Sequence, residues 1–218
     1  MKTTVVPAPR MRRRRRRWVL PAVAVAAAGA LVWSTLGLIE YAQGPVDMEG
    51  NHVAYGGGVA PSDESSAVPQ TGTDRFDVPS VHLDVPLGAM SAVDGVIEPP
   101  GFTSAYWVRN MGVSPTAPET GTVFVAMHSL RNGAVGPGNF LIDVDKATAS
   151  VGAGQRIRVA DTTYTVTRTL EIDKPDIGAA SQVWANTPNR LVVITCLQRP
   201  QGGPSLQNVV IEATRDPR

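Results

Sequence analysis

The chain has 218 residues, enough for one ordinary domain with extensions, and a formal net charge of +1. That balance conceals an asymmetry: residues 1–17 hold eight basic side chains, Lys2, Arg10 and Arg12 to Arg17, and no acidic one, leaving twelve basic against nineteen acidic in the remainder, a net of −7. An acidic body argues against a nucleic-acid-binding surface, which needs basic side chains for phosphates, and a lone cysteine, Cys196, excludes an intramolecular disulfide.

Residues 18–39 carry no charged side chain. As a helix these 22 residues would span about 33 Å, enough to cross a bilayer core. Trp18 and Trp33 lie towards the ends, where amphipathic rings favour the interface, and Pro21 falls in the first turn, where it costs a helix little. Six arginines before the span hold that flank in the cytoplasm. The expected plan is a cytoplasmic basic tail over 1–17, a single anchor over 18–39 and everything from Glu40 onward outside the cell. A cleaved signal peptide is the competing reading; its apolar region is shorter, and Glu40-Tyr41-Ala42-Gln43 is a poor cleavage site. In either case the body is exported.

Residues 40–73 read as a flexible linker, with Gly56-Gly57-Gly58 and Pro61-Ser62-Asp63-Glu64 and no sustained apolar period. His52 sits there as a solvated side chain. A folded domain is expected over 74–218. Val81, Leu83, Val85 and Leu87 alternate with polar neighbours as a half-buried strand, turning His82 to solvent. Pro99-Pro100-Gly101 is a turn, and Ser104 to Asn110 is a short helix or an irregular aromatic segment.

Thr122 to Met127 is a continuous apolar run, a strand buried on both faces, and it ends on His128. A glycine-rich loop follows, Ser129 to Asn139, of the kind that shapes a groove. Gln155 to Ala160 and Tyr164 to Ile172 form a hairpin about Asp161-Thr162-Thr163. Asp173 to Val183 is a loop with one helical turn that packs Trp184 on the core. A second continuous run, Leu191 to Ile194, in a strand that starts at about Arg190, leads through Thr195 to Cys196, and Asn208 to Ala213 is the last strand. Several strands, abundant turns and no long amphipathic helix give an all-β barrel or sandwich.

Two buried strands thus each deliver one ionisable residue at their C-terminal end. If the strands are neighbours, thiol and imidazole meet. A small buried hydrophobe is the alternative for Cys196. An exported lone thiol is exposed to oxidation, however, and that favours a chemical role.

The segment Val192-Val193-Ile194-Thr195-Cys196 resembles the TLxTC pattern of sortases, with valines in the first two places. Val125-Ala126-Met127-His128 is similar to the strand that delivers that family's histidine, 68 residues before the cysteine. The arginine-rich flank, single anchor, polar linker and closing strand also match. Gly136-Pro137-Gly138-Asn139-Phe140 most resembles the actinobacterial class F, or class E, enzymes.

The resemblance implies an eight-stranded β-barrel and a membrane-anchored cysteine transpeptidase of a Gram-positive cell. Such an enzyme cuts an LPxTG-like sorting signal after threonine and passes the acyl group to an amine on a cell-wall precursor or pilin. It implies Cys196 as nucleophile, His128 as acid and base, and Thr195 and Asn208 against the substrate, with no cofactor and no metal. The family's oxyanion-binding arginine stands near the start of the last strand; here that stretch, Pro204 to Val209, has none. Arg199 is the nearest arginine to Cys196 and takes the role in this reading, with Arg131 a lesser substitute and Gln207 or Asn208 as neutral amides. The alternatives are a catalytically weak sortase-like peptide-binding protein and an exported cysteine peptidase. The Ser-x-Gly-Cys setting of an L,D-transpeptidase is missing.

Overall fold

Apolar residues at every position of a strand need a partner layer on both faces, and the two continuous runs find one. In the computed structural model, which describes residues 45–53 and 73–217, they form β4 (Thr122–Ala126) and β9 (Arg190–Leu197). The order along the chain begins β1 (Arg75–Val78), β2 (Leu83–Met90), β3 (Ala105–Gly112) and β4. It continues with β5 (Ile142–Asp143), β6 (Thr148–Ala149), β7 (Arg156–Val159) and β8 (Thr162–Asp173), then the short helix α1 (Ser181–Trp184), β9 and β10 (Gln207–Arg215).

Eight of these strands close a barrel in the order β1-β2-β3-β4-β9-β10-β8-β7, with β5 and β6 as a separate small pair. Neighbours are antiparallel except β2 with β3 and β4 with β9, which are parallel. The lumen is filled by alternate side chains such as Val123, Val125, Leu191, Val193, Tyr164 and Ile211. The other faces of β4, β9 and β10 carry Phe124, Ala126, Val192, Ile194 and Val210, which pack under Val183 and Trp184 of the connection between β8 and β9. That second layer is why β4 and β9 read as unbroken apolar runs.

Two buried polar clusters fix the connections. Arg190, a tenth exposed, bonds Glu212 Oε1 at 2.8 Å and donates to the carbonyls of Gln182, Val183 and Ala185 at 2.7–3.2 Å. Arg168 closes on the same carboxylate with two bonds of 3.0 Å. At the same end of the barrel, Asn186 Oδ1 accepts the Thr122 amide at 2.7 Å.

Two expectations are corrected. Of the stretch Ser104 to Asn110, read as a short helix or an irregular segment, Ala105 to Asn110 lie in β3, parallel to β2. Residues 45–53 are not free linker: Asp47 is buried, accepting from the amides of Glu49, Asn51 and Val135 at 2.8–3.0 Å, while Met48 N donates to Val135 O at 2.9 Å. The expected basic tail and membrane span lie outside the described residues. Among the described residues no helix is long and apolar enough to cross a membrane.

Candidate active site

Parallel pairing brings the C-terminal ends of β4 and β9 to one end of the barrel. The register runs from Thr122 beside Arg190 to Ala126 beside Ile194, and Met127 N donates to Ile194 O at 3.2 Å to carry it one residue further. His128 and Cys196 come next on their strands. Side chains alternate, so His128 falls on the outer face with Phe124 and Ala126, and Cys196 falls there with Val192 and Ile194. The antiparallel neighbour places Asn208 directly beside Cys196.

The three open into one cleft of about 350 Å³. Its walls are mostly apolar, with Val96 and Ile97 from the connection between β2 and β3 and Ile177 and Trp184 from that between β8 and β9. Glu98 and Lys174 are its charged side chains beside the imidazole.

His128 is held on three sides. Its side chain is 15% exposed, its ring lies 5.0 Å from that of Phe102 at an interplanar angle of 60°, and Nε2 is 2.8 Å from Pro99 O. A carbonyl only accepts, so Nε2 carries the hydrogen and the neutral ring keeps its lone pair on Nδ1. Glu98 Oε1 lies 3.6 Å from the same Nε2. Burial pushes the imidazole below its ordinary pKa; Glu98 and the Pro99 carbonyl push it back up, Lys174 pushes it down again, and the net shift is downward.

Cys196 is half-buried, its Sγ 4.0 Å from Asn208 Oδ1. Its backbone is anchored from behind. Ser129 Oγ donates to Cys196 O at 2.5 Å, and Gln198 Nε2 donates to Ser129 O and Oγ at 2.8 and 2.9 Å. These bonds tie the residue after the histidine to the strand that carries the thiol.

Thr195 borders the cleft, but its side chain is buried and its hydroxyl donates to Met127 O at 3.0 Å. It fastens β9 to β4, with its hydroxyl proton given to a backbone carbonyl. Gly138 packs so closely on Thr195 Oγ1 and on the His128 carbonyl that a Cβ there would collide with both. Its amide donates to that carbonyl at 2.8 Å.

Arg199 is not brought to the cleft. It is exposed, with its guanidinium near Gly203, and it is not among the lining residues. Three residues from Cys196 in sequence, Arg199 still lies outside the cleft lining. Arg131 does not line the cleft either. Glu98 and Lys174 escaped the sequence reading because each lies in an irregular connection with no period to mark it. Among the described residues no group of three His, Cys, Asp or Glu is placed to hold a metal ion.

Fold and site together describe a closed β-barrel with a cysteine–histidine pair on the outer face of two parallel strands. Among solved structures the chain is similar to sortase A from Listeria monocytogenes, at 21% identity over 66% of this chain and 86% of that one with a TM-score of 0.45. It is also similar to sortase C-1 from Actinomyces oris, at 13% identity over 66% and 73% with a TM-score of 0.48. A lid mutant of sortase A from Corynebacterium diphtheriae matches at 14% identity over 69% and 75%, with a TM-score of 0.47. No protein-family model and no curated protein matches the sequence.

Proposed function

We propose that this chain is a sortase-type cysteine transpeptidase. The observation that carries the reading is the placement of Cys196 and His128 at the matched ends of two adjacent parallel strands, on one face, in one cleft. A thiol and an imidazole so placed suit acyl transfer.

In the first step His128 takes the proton of the Cys196 thiol, the thiolate attacks the carbonyl of a peptide bond to form the S–C bond, and the imidazolium passes that proton to the departing amine as the C–N bond breaks. In the second, an amine attacks the thioester carbonyl, the thiolate leaves, and His128 accepts the proton lost by the amine. Asn208, beside Cys196 in register, is the donor for the oxyanion in both steps. An apolar cleft that sheds water favours the amine over hydrolysis.

Resemblance of the motifs supports an LPxTG-like sorting signal cut after threonine, an amine on a cell-wall precursor or pilin, and class F or E among the sortases. The uncharged run over 18–39 and its arginine flank support a single anchor that leaves the catalytic domain outside the cell. The test uses the full chain in detergent with a fluorogenic LPxTG-type peptide and an amine nucleophile, followed by mass spectrometry. Wild-type protein should form a thioester on Cys196 and then the amide, and Cys196→Ala should form neither while keeping its fold. Transfer that persists in Cys196→Ala overturns the assignment, and hydrolysis with no amide product turns the reading to a cysteine peptidase.

A further inference from the structure

His128 sits where four elements converge, and the groups that face it differ in sign. The connection between β2 and β3 contributes the Glu98 carboxylate, 3.6 Å from Nε2, and the Pro99 carbonyl at 2.8 Å. The connection between β8 and β9 contributes Lys174 to the cleft wall. Cys196 on β9 and the neutral Asn208 on β10 complete the cleft. One Nε2–H cannot serve two acceptors equally: the shorter contact makes Pro99 O its hydrogen-bond acceptor and leaves Glu98 as a nearby charge.

We propose that Glu98 is a positioning residue for His128: its carboxylate and the Pro99 carbonyl hold the Nε2 edge of the ring, which reserves Nδ1 for proton transfer at the thiol and the substrate. The catalytic meaning of this arrangement rests on the transpeptidase reading, but the placement itself does not. The same side chain offsets a cost of burial. A ring 15% exposed favours its neutral form, and acid catalysis needs the cation; a carboxylate at 3.6 Å stabilises that cation without taking the proton from it. The direction of each influence on the imidazole agrees, since burial lowers its pKa and Glu98 raises it. Glu98 therefore acts on the imidazole as the carboxylate of a catalytic triad acts on its histidine, though from a flanking loop and through charge more than through a direct hydrogen bond.

The test reads the ring itself. NMR titration of the three histidines in the full-length protein in detergent, with His128→Gln to assign the signal, gives the His128 midpoint and its neutral tautomer. Wild-type His128 should be the Nε2–H tautomer. Glu98→Gln keeps the size and polarity but removes the charge, so the midpoint should move to lower pH. Glu98→Asp, with its carboxylate drawn back, should move it in the same direction by less. The acid limb of kcat/KM for peptide transfer should move with the midpoint, whereas a purely structural role would lower the rate at every pH and leave the limb in place. An unchanged midpoint in the variants, or an Nδ1–H tautomer in the wild type, overturns the proposal. Absence of any transfer by the wild type would instead sink the transpeptidase reading, and the His128 titration would still report on Glu98.

Discussion

In the proposed transfer an oxyanion at the thioester step needs a donor within reach of Cys196, and Asn208 on β10 lies beside that residue in register. Its Oδ1 is 4.0 Å from the sulfur, and a half-turn about the last side-chain bond presents the NH₂ group to the same space. Arg199 would be the stronger donor, but it is exposed and turned towards Gly203. Loss of one oxyanion donor typically raises the barrier by about 2.7–4 kcal/mol, roughly a hundredfold to a thousandfold in kcat. Asn208→Ala should therefore lower kcat by about that factor while Arg199→Ala stays close to wild type, both measured in the peptide-transfer assay. The reverse pattern would return the role to Arg199. At this scale the positions of Cys196 and His128 were legible, because each ends a strand that its own hydrophobic run announces. The choice between Arg199 and Asn208 was not, since the loop between β9 and β10 sets which side chain returns to the cleft and no periodicity encodes that loop's path.

Strands were legible where both faces or alternate faces are apolar, and this covers β4, β9 and the hairpin of β7 with β8. Strand β3 is not marked in the sequence because its first half is covered and its second half exposed, so no single period runs through Tyr106 to Met111. The parallel neighbourhood of β4 and β9 was also out of reach: a buried run does not name its partner. What holds the covering connection over that pair is Arg190, whose side chain spends itself on Glu212 and on three carbonyls around α1. Removing one partner of a buried ion pair strands the other charge, at a cost of about 3–5 kcal/mol. Arg190→Met should approach that loss in urea denaturation and loosen Trp184, read by its fluorescence. Arg168 reaches the same carboxylate from a half-exposed position, so Arg168→Ala should cost roughly 1 kcal/mol or less. Equal losses in the two variants would show that burial of Arg190 does not set its contribution.

At the scale of the whole domain, the N-terminal segment acts at a distance from its own position in the sequence. Residues 45–53 carry no apolar period, which is why they read as linker; the Asp47 carboxylate and the Met48 backbone tie them to Val135, with Met48 packed on the core. Burial of Asp47 raises its pKa, but the amides of Val135, Asn51 and Glu49 and the Asn51 side chain lower it more, and the net shift is below the ordinary value of 3.8. Val135 leads into the turn whose Gly138 amide bonds the His128 carbonyl, so the docked segment braces the loop behind His128. The sign of the pH effect follows from the depressed pKa. The stabilisation is fully present above about pH 3.8, where Asp47 would be ionised even in the unfolded chain, and it is lost as pH falls through the lower folded value. The amide-proton shifts of Glu49, Asn51 and Val135 should therefore titrate together, with a common midpoint below 3.8. Asp47→Asn should abolish that titration and speed hydrogen exchange at Val135 near neutral pH. A midpoint above 3.8, or exchange at Val135 that does not respond to Asp47→Asn, would show that the segment is held by something other than this carboxylate.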